Sequence, residues 1–244
     1  MINENTFWKS FLLPYELAVG GFIIKLESTR KDYILKNSSS PIEIVSGRVK
    51  SVPSILEKAQ RLNIDFSRIK EEIYDIAGVR ITCKYIQDVY KVYELLKTRK
   101  DVEIFIVKDY IKNPKPSGYR SLHVIAKYNV ETLEGQIPIN IEFQIRTHSM
   151  HLWASIEHSL KYKYYRQIPE EIQERLLKVA EVTTRLDEEM SRIQIAVEEI
   201  PVDKIRNEEY ELDGLDFFLN SIKKWWVYEI CNFWKSPWYS NSFY

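Results

Sequence analysis

Apolar and polar positions alternate most regularly over residues 138–146, where Ile139, Ile141, Phe143 and Ile145 interleave with Asn140, Glu142, Gln144 and Arg146. A period of two predicts a β-strand with one apolar and one polar face. Two earlier segments repeat the pattern. Residues 43–50 set Val45, Gly47 and Val49 against Ser46, Arg48 and Lys50. Residues 78–85 set Val79, Ile81, Cys83 and Tyr85 against Arg80, Thr82 and Lys84. A short apolar run at 102–108 and a stretch at 119–128 read as two further strands.

Helical spacing fills the intervals. Residues 8–37 gather Leu12, Leu13, Leu17, Val19, Phe22, Ile23 and Leu26. Pro53 opens a second helix with Ser54 and Glu57 at capping-box spacing, and Lys58 and Arg61 share one of its faces. Residues 87–99 and 148–161 read as helices, whereas 37–41 and 113–118 carry the Pro, Gly, Ser and Asn of loops. From 169 to 200, Ile172, Leu176, Val179, Thr183, Leu186, Met190, Ile193, Val197 and Ile200 fall at steps of four and three. That is a heptad seam, which packs along one partner helix within the chain or between subunits.

This order predicts an α+β fold, a mixed sheet of about five strands flanked by helices. Four segments are expected: an N-terminal helical segment (1–40), an α/β core (41–165), a C-terminal helix (166–213) suited to an oligomer contact, and an aromatic-rich tail (214–244). The tail could serve as a docking segment, an interfacial helix or a chemically silent extension. Its Lys223, Lys224, Asp216 and Glu229 argue against a membrane span.

The 244 residues carry 35 basic and 35 acidic side chains, which makes a globally basic nucleic-acid coat improbable. Positive charge is instead concentrated in residues 46–61 and 108–127, a distribution that suits a small polyanion or a pair of solvated loops. Two cysteines, Cys83 and Cys231, make no disulfide framework. The start Met1-Ile2-Asn3-Glu4-Asn5 lacks the positive charge of a signal peptide, and no run of 18 apolar residues occurs. A cytoplasmic protein without a membrane span is expected.

Glu142 stands on the polar face of the best-defined strand, where a carboxylate is held rigidly enough to act as metal ligand or general base. Taken alone it reads more readily as a solvated strand residue. Asp75 precedes Ile76-Ala77-Gly78 at a strand entry, a position that suits a Mg²⁺ ligand beside phosphates or a turn aspartate. Arg48, Lys50, Lys58, Arg61 and Arg80 supply cations nearby. Two carboxylates and several cations are what phosphoryl or pyrophosphoryl transfer requires. Tyr119, just after a Pro/Gly loop, can stack on a base or pack on the sheet. His148, His151 and His158 lie without a neighbouring cysteine or an H-E-x-x-H pattern, so a zinc site is not expected. No phosphate-binding glycine loop of the common nucleotide folds is present.

Six motifs then appear in order: Gly47-Arg48-Val49-Lys50-Ser51, Leu56-Glu57-Lys58-Ala59, Tyr74-Asp75-Ile76-Ala77-Gly78-Val79-Arg80, Lys115-Pro116-Ser117-Gly118-Tyr119-Arg120-Ser121-Leu122-His123, Glu142-Phe143-Gln144-Ile145-Arg146-Thr147 and Trp153-Ala154-Ser155-Ile156-Glu157-His158. Over about residues 10–200 the chain resembles the synthetase domain of the RelA/SpoT family, a nucleotidyltransferase-like domain, at the length of a small alarmone synthetase. The resemblance implies Mg²⁺-dependent transfer of pyrophosphate from ATP to the 3′-hydroxyl of GDP or GTP, giving ppGpp or pppGpp and AMP, without hydrolase activity. It implies Asp75 and Glu142 as metal ligands, Glu142 serving also as general base. Arg48, Lys50 and Lys58 become ATP phosphate contacts, and Arg61 and Arg80 a pair around adenine. Tyr119 becomes the guanine-stacking residue, with His123, Gln144 and His151 around the GDP or GTP acceptor. His151 stands where small members often carry Asn, and Ile44 where product-responsive members carry an aromatic residue. A homotetramer is implied, and regulation by RNA or pppGpp stays open. The alternative is a non-catalytic nucleotide- or RNA-binding regulator on the same fold.

Overall fold

The computed structural model describes residues 4–164 and 168–199. The tail 214–244, residues 200–213 and the last seam position, Ile200, lie outside the described residues. The chain divides into two compact units, Met1–Ile195 and Ala196–Tyr244, and the fold below is that of the first.

Five strands form one sheet in the order β1-β2-β5-β4-β3. They are β1 (Ile44–Val49), β2 (Ala77–Cys83), β3 (Val102–Asp109), β4 (Leu122–Thr132) and β5 (Gly135–Thr147). β2 and β5 pair in parallel, whereas β1–β2, β4–β5 and β3–β4 pair antiparallel. The sheet is therefore mixed, as the alternation predicted. Among the described residues six α-helices accompany it: α1 (Glu4–Leu35), α2 (Val52–Leu62), α3 (Ile69–Glu72), α4 (Ile86–Lys97), α5 (His148–Lys163) and α6 (Glu170–Glu198).

The apolar face of the sheet lies beneath α1 and α4. Phe22 of α1 meets Phe143 edge-on at 5.0 Å and Tyr128 at 4.8 Å between ring centroids. Val79, Ile81, Cys83, Ile141, Phe143 and Ile145 are buried there. α1 is long and apolar enough, by length and composition, to cross a membrane, although no unbroken run of 18 apolar residues was read along it. Scattered polar residues interrupt the run without lowering its average enough. In this fold α1 lays Phe11, Tyr15, Ala18, Val19, Phe22 and Leu26 into the core.

Several element ends differ from the sequence reading. α2 begins at Val52, before Pro53, with Ser51 in the N-cap position making no side-chain cap bond, so Ser54 lies within the first turn and is not the N-cap residue. β4 starts at Leu122 and not at Tyr119. The Gly118 amide bonds the Lys115 carbonyl at 2.8 Å and the Lys115 amide bonds the Tyr119 carbonyl at 3.1 Å, so residues 115–119 close a loop first. β4 and β5 run on to a tight hairpin at Gly135 (φ 105°), beyond the limits read from alternation. Of the α6 seam, Leu176 packs against Trp153 and Ala180, but most of the positions beyond it are unpacked within the described residues. Val179, Leu186, Met190 and Ile193 are exposed, and Ala180, Asp187 and Ser191 turn inward instead.

Gly47 shows how closely α1 and β1 approach. A Cβ at this position would lie 2.5 Å from Val19 Cγ1 and 3.2 Å from Ile23 Cδ1. Gly47→Ala is therefore expected to destabilise the fold by about 1–3 kcal/mol, the usual cost of overpacking. Urea unfolding measures it, and an unchanged midpoint would contradict this contact.

Candidate active site

The opposite, polar face of the sheet carries the chemistry. Register places Arg48 beside Gly78 and Gly78 beside Glu142, while Arg80 pairs with Gln144. Paired residues share a face, so Arg48, Arg80, Glu142 and Gln144 project together. Gly78 adds no side chain between Arg48 and Glu142. A Cβ there would meet nothing nearer than a backbone oxygen at 3.7 Å, so the site keeps a hollow at its centre.

One cleft, of about 380 Å³, is lined by Arg48, Lys50, Lys58, Arg61 and Asp75, among others. Lys50 follows the end of β1, Lys58 and Arg61 rise from α2, and Asp75 leads into β2. Lys58 Nζ stands 2.8 Å from Asp75 Oδ1, and Lys50 Nζ 3.0 Å from Oδ2. Burial works to raise the Asp75 pKa, but the two ammonium groups outweigh it and hold the carboxyl below its ordinary range.

A second cleft, of about 480 Å³, is lined by Arg48, Arg80, Lys115, Tyr119, Gln144, Arg146 and His151, among others. Arg48 thus borders both clefts. Arg61 and Arg80, expected as a pair, line different clefts; Arg80 neighbours Arg48 instead. Burial lowers the proton affinity of Arg80, and the charges of Arg48 and Arg146 lower it further.

Glu142 is 9% exposed, and a hydrogen-bond chain ties it to Tyr119. His123 Nδ1 lies 2.9 Å from Glu142 Oε1, and Gln144 Nε2 donates to Oε2 at 2.6 Å. A carboxylate only accepts, so Nδ1 carries the proton. In the neutral ring Nε2 then accepts from the Tyr119 hydroxyl, 2.7 Å away. That oxygen in turn accepts from Arg146 Nη2 at 2.6 Å. Burial alone would push Glu142 up. His123 and Gln144 prevail, and the carboxyl is held below its usual range. The negative charge of Asp75 acts on it in the opposite sense, more weakly than any of these.

The polar face of β5 is therefore not solvated. Asn140, Glu142 and Arg146 are all buried: Asn140 donates to the Lys70 carbonyl, Glu142 accepts from His123 and Gln144, and Arg146 donates to Ser121, Tyr119 and Gln144. His123 sits beneath the second cleft, inside this network. Lys115 and Arg146 escaped the reading of single residues, although both lie in quoted motifs. Lys115 Nζ stands 4.9 Å and Arg146 Cζ 5.2 Å from the Tyr119 ring centre. A basic residue two positions after Gln144 on the same strand face was the available signal.

Among the described residues no set of three His, Cys, Asp or Glu side chains converges to hold a metal. Asp75 and Glu142 are carboxylates of the type a hard divalent cation such as Mg²⁺ takes, one or two at a time with phosphate and water oxygens completing its shell, and here their oxygens are held by Lys50, Lys58, His123 and Gln144.

Comparison with known proteins bears on this arrangement. Residues 47–167 match the region found in RelA/SpoT proteins. The chain is 47% identical over 192 residues to the GTP pyrophosphokinase YjbM of Bacillus subtilis, covering 79% of this chain and 90% of that protein. The chain belongs to the RelA/SpoT family. Among solved RelA/SpoT-type structures, small alarmone synthetase 1 from B. subtilis bound to its product pppGpp superposes with a TM-score of 0.76. It is 46% identical, covering 79% of this chain and 98% of that one. A GTP pyrophosphokinase family protein from Streptococcus pneumoniae gives a TM-score of 0.76 at 45% identity, covering 79% and 95%. The α+β fold expected from the sequence is the fold of this family.

If His123 and Gln144 hold the Glu142 carboxyl down against burial, His123→Ala should raise its pKa. A carboxyl-carbon NMR titration reads the shift directly, and an unmoved Glu142 would remove His123 from this role.

Proposed function

We propose that this chain is an alarmone synthetase, transferring pyrophosphate from ATP to the 3′-hydroxyl of GDP or GTP and releasing AMP. The observation that carries this reading is the sheet register that sets Glu142 beside Gly78 and Gly78 beside Arg48, the residue shared by two cation-lined clefts, one of which also holds Asp75. Family membership and the pppGpp-bound neighbour support the same assignment.

The first cleft suits the donor. Lys50, Lys58 and Arg61 face its phosphates, and Arg48 lies where donor and acceptor adjoin. Arg80, beside Arg48, serves the donor from the acceptor side of that boundary. The second cleft suits the acceptor, with Tyr119 against guanine and Gln144, His151 and Lys115 around it. His123 orients Glu142 from below. Glu142, kept ionised, takes the proton from the 3′-hydroxyl as that oxygen attacks the β-phosphorus; the bond to the α-phosphate oxygen breaks and AMP leaves. Asp75 and Glu142 would hold a Mg²⁺ ion, which offsets charge on the transferring phosphates. The exposed apolar seam of α6 supports assembly with further copies, in line with a homotetramer. Two cysteines in 244 residues and nucleotide substrates support action in the cytoplasm.

Incubation with labelled ATP, GDP and Mg²⁺ tests the reading. AMP and guanosine tetraphosphate are expected. Free pyrophosphate would indicate nucleotidyl transfer instead, and binding without products would indicate a non-catalytic regulator. Glu142→Gln should lower turnover about a hundredfold or more with ATP still bound, the scale of losing a base or ligand; wild-type rates in this variant would count against its role. Tyr119→Ala should weaken GDP binding by about 1–3 kcal/mol, the scale of base stacking, as read by calorimetry.

A further inference from the structure

Arg120 follows Tyr119 in the chain yet turns away from both clefts. Its Nη1 donates to Asp187 Oδ2 at 3.2 Å and to Thr184 Oγ1 at 3.1 Å, both on α6. The two charged side chains are only 8% and 6% exposed. The buried residues of α6 are Ala180, Asp187 and Ser191, so no broad apolar face fastens this helix to the sheet. What fastens it lies around the Tyr119 loop. Gly118, at φ 85°, leaves no room for a side chain: a Cβ would lie 2.5 Å from Ala180 Cβ. Trp153 Nε1 donates to the Leu176 carbonyl at 2.9 Å, and its ring meets Tyr119 edge-on at 6.4 Å.

We propose that Asp187 is a positioning residue for the acceptor cleft. Through Arg120 it holds the 115–121 loop from behind and so fixes the ring of Tyr119, while touching neither nucleotide. A buried ion pair adds little net stability compared with an apolar pair, but it admits one geometry and fixes register. The site needs that property here, because Tyr119 also anchors the chain of hydrogen bonds leading to Glu142. This inference rests on the reading of the Tyr119 cleft as the acceptor site.

The test uses the full chain carrying Asp187→Asn, with each nucleotide varied at saturation of the other. The KM for GDP should rise roughly tenfold, the scale of one charge-assisted hydrogen bond. The KM for ATP should stay within about twofold, since Asp187 has no contact with the donor cleft, while kcat should fall by less than the GDP KM rises, because Tyr119 reaches Glu142 only through His123. Thr184→Val, which removes one hydroxyl, should move the same parameter in the same direction by less, and it carries the test if Asp187→Asn fails to fold. Asp187→Glu, which keeps the charge, should recover part of the loss. Amide hydrogen exchange should quicken at residues 115–121 in the first two variants, with β2 and β5 unchanged. An unaltered GDP KM together with unaltered exchange overturns the proposal. So does a parallel change in kcat and both KM values, the pattern of a general loss of structure. A wild-type chain that makes no product overturns the functional reading instead, and the exchange comparison then decides the Asp187–Arg120 grip.

Discussion

The parallel pairing of β2 with β5 is the constraint on which the site depends. It matches Ala77 with Ile141 and Gly78 with Glu142. Asp75, two residues before Ala77, thereby stands at the entry of the strand that pairs with the one carrying a carboxylate 67 positions away in the chain. A parallel neighbour requires a long crossover, here supplied by α4, β3 and β4. A slip of one residue in that register would turn Glu142 into the core and Ile141 into the clefts. The apolar alternation of β5, sealed by Phe22 against Phe143, prevents the slip. Packing on one face of the sheet thus fixes chemistry on the other.

On that other face the protein buries what it would ordinarily leave in water. Glu142, Arg146 and His123 are nearly inaccessible, and each is supplied with partners. An unpaired polar group at such depth would cost several kcal/mol, so the network is closed by necessity. Closure has a functional result. Glu142 stays ionised although buried, and Tyr119, whose phenol is pushed up chiefly by burial, stays protonated as a donor. The ring proposed to read the acceptor base and the carboxylate proposed to take its proton therefore belong to a single set of hydrogen bonds.

Much of this was legible in the sequence. Period-two alternation located β1, β2 and β5, because one face of each strand is held against α1 or α4. The residues that gather at the clefts were legible by charge type and motif. What was not legible depended on distant partners. The end of β4 yielded to a loop at 115–119, a matter of local hydrogen bonding. Heptad spacing in α6 was real, yet the inward face is the one carrying Ala180, Asp187 and Ser191, since Asp187 finds Arg120 there. The separation of Arg61 from Arg80 into different clefts depends on how α2 lies beside β2, which spacing along the chain does not encode.

The pairing of Asp75 with Lys50 and Lys58 has a consequence for how the donor cleft meets a polyanion. Both ammonium groups already have a counter-ion built into the fold. One carboxylate shared by two lysines leaves the surface positive but less so than a bare basic patch, and it gathers fewer mobile anions from solution. A triphosphate bound there as proposed would take over these lysines by exchange of partners, with little release of condensed ions. Its affinity should then weaken less steeply with ionic strength than a row of unpaired cations would dictate.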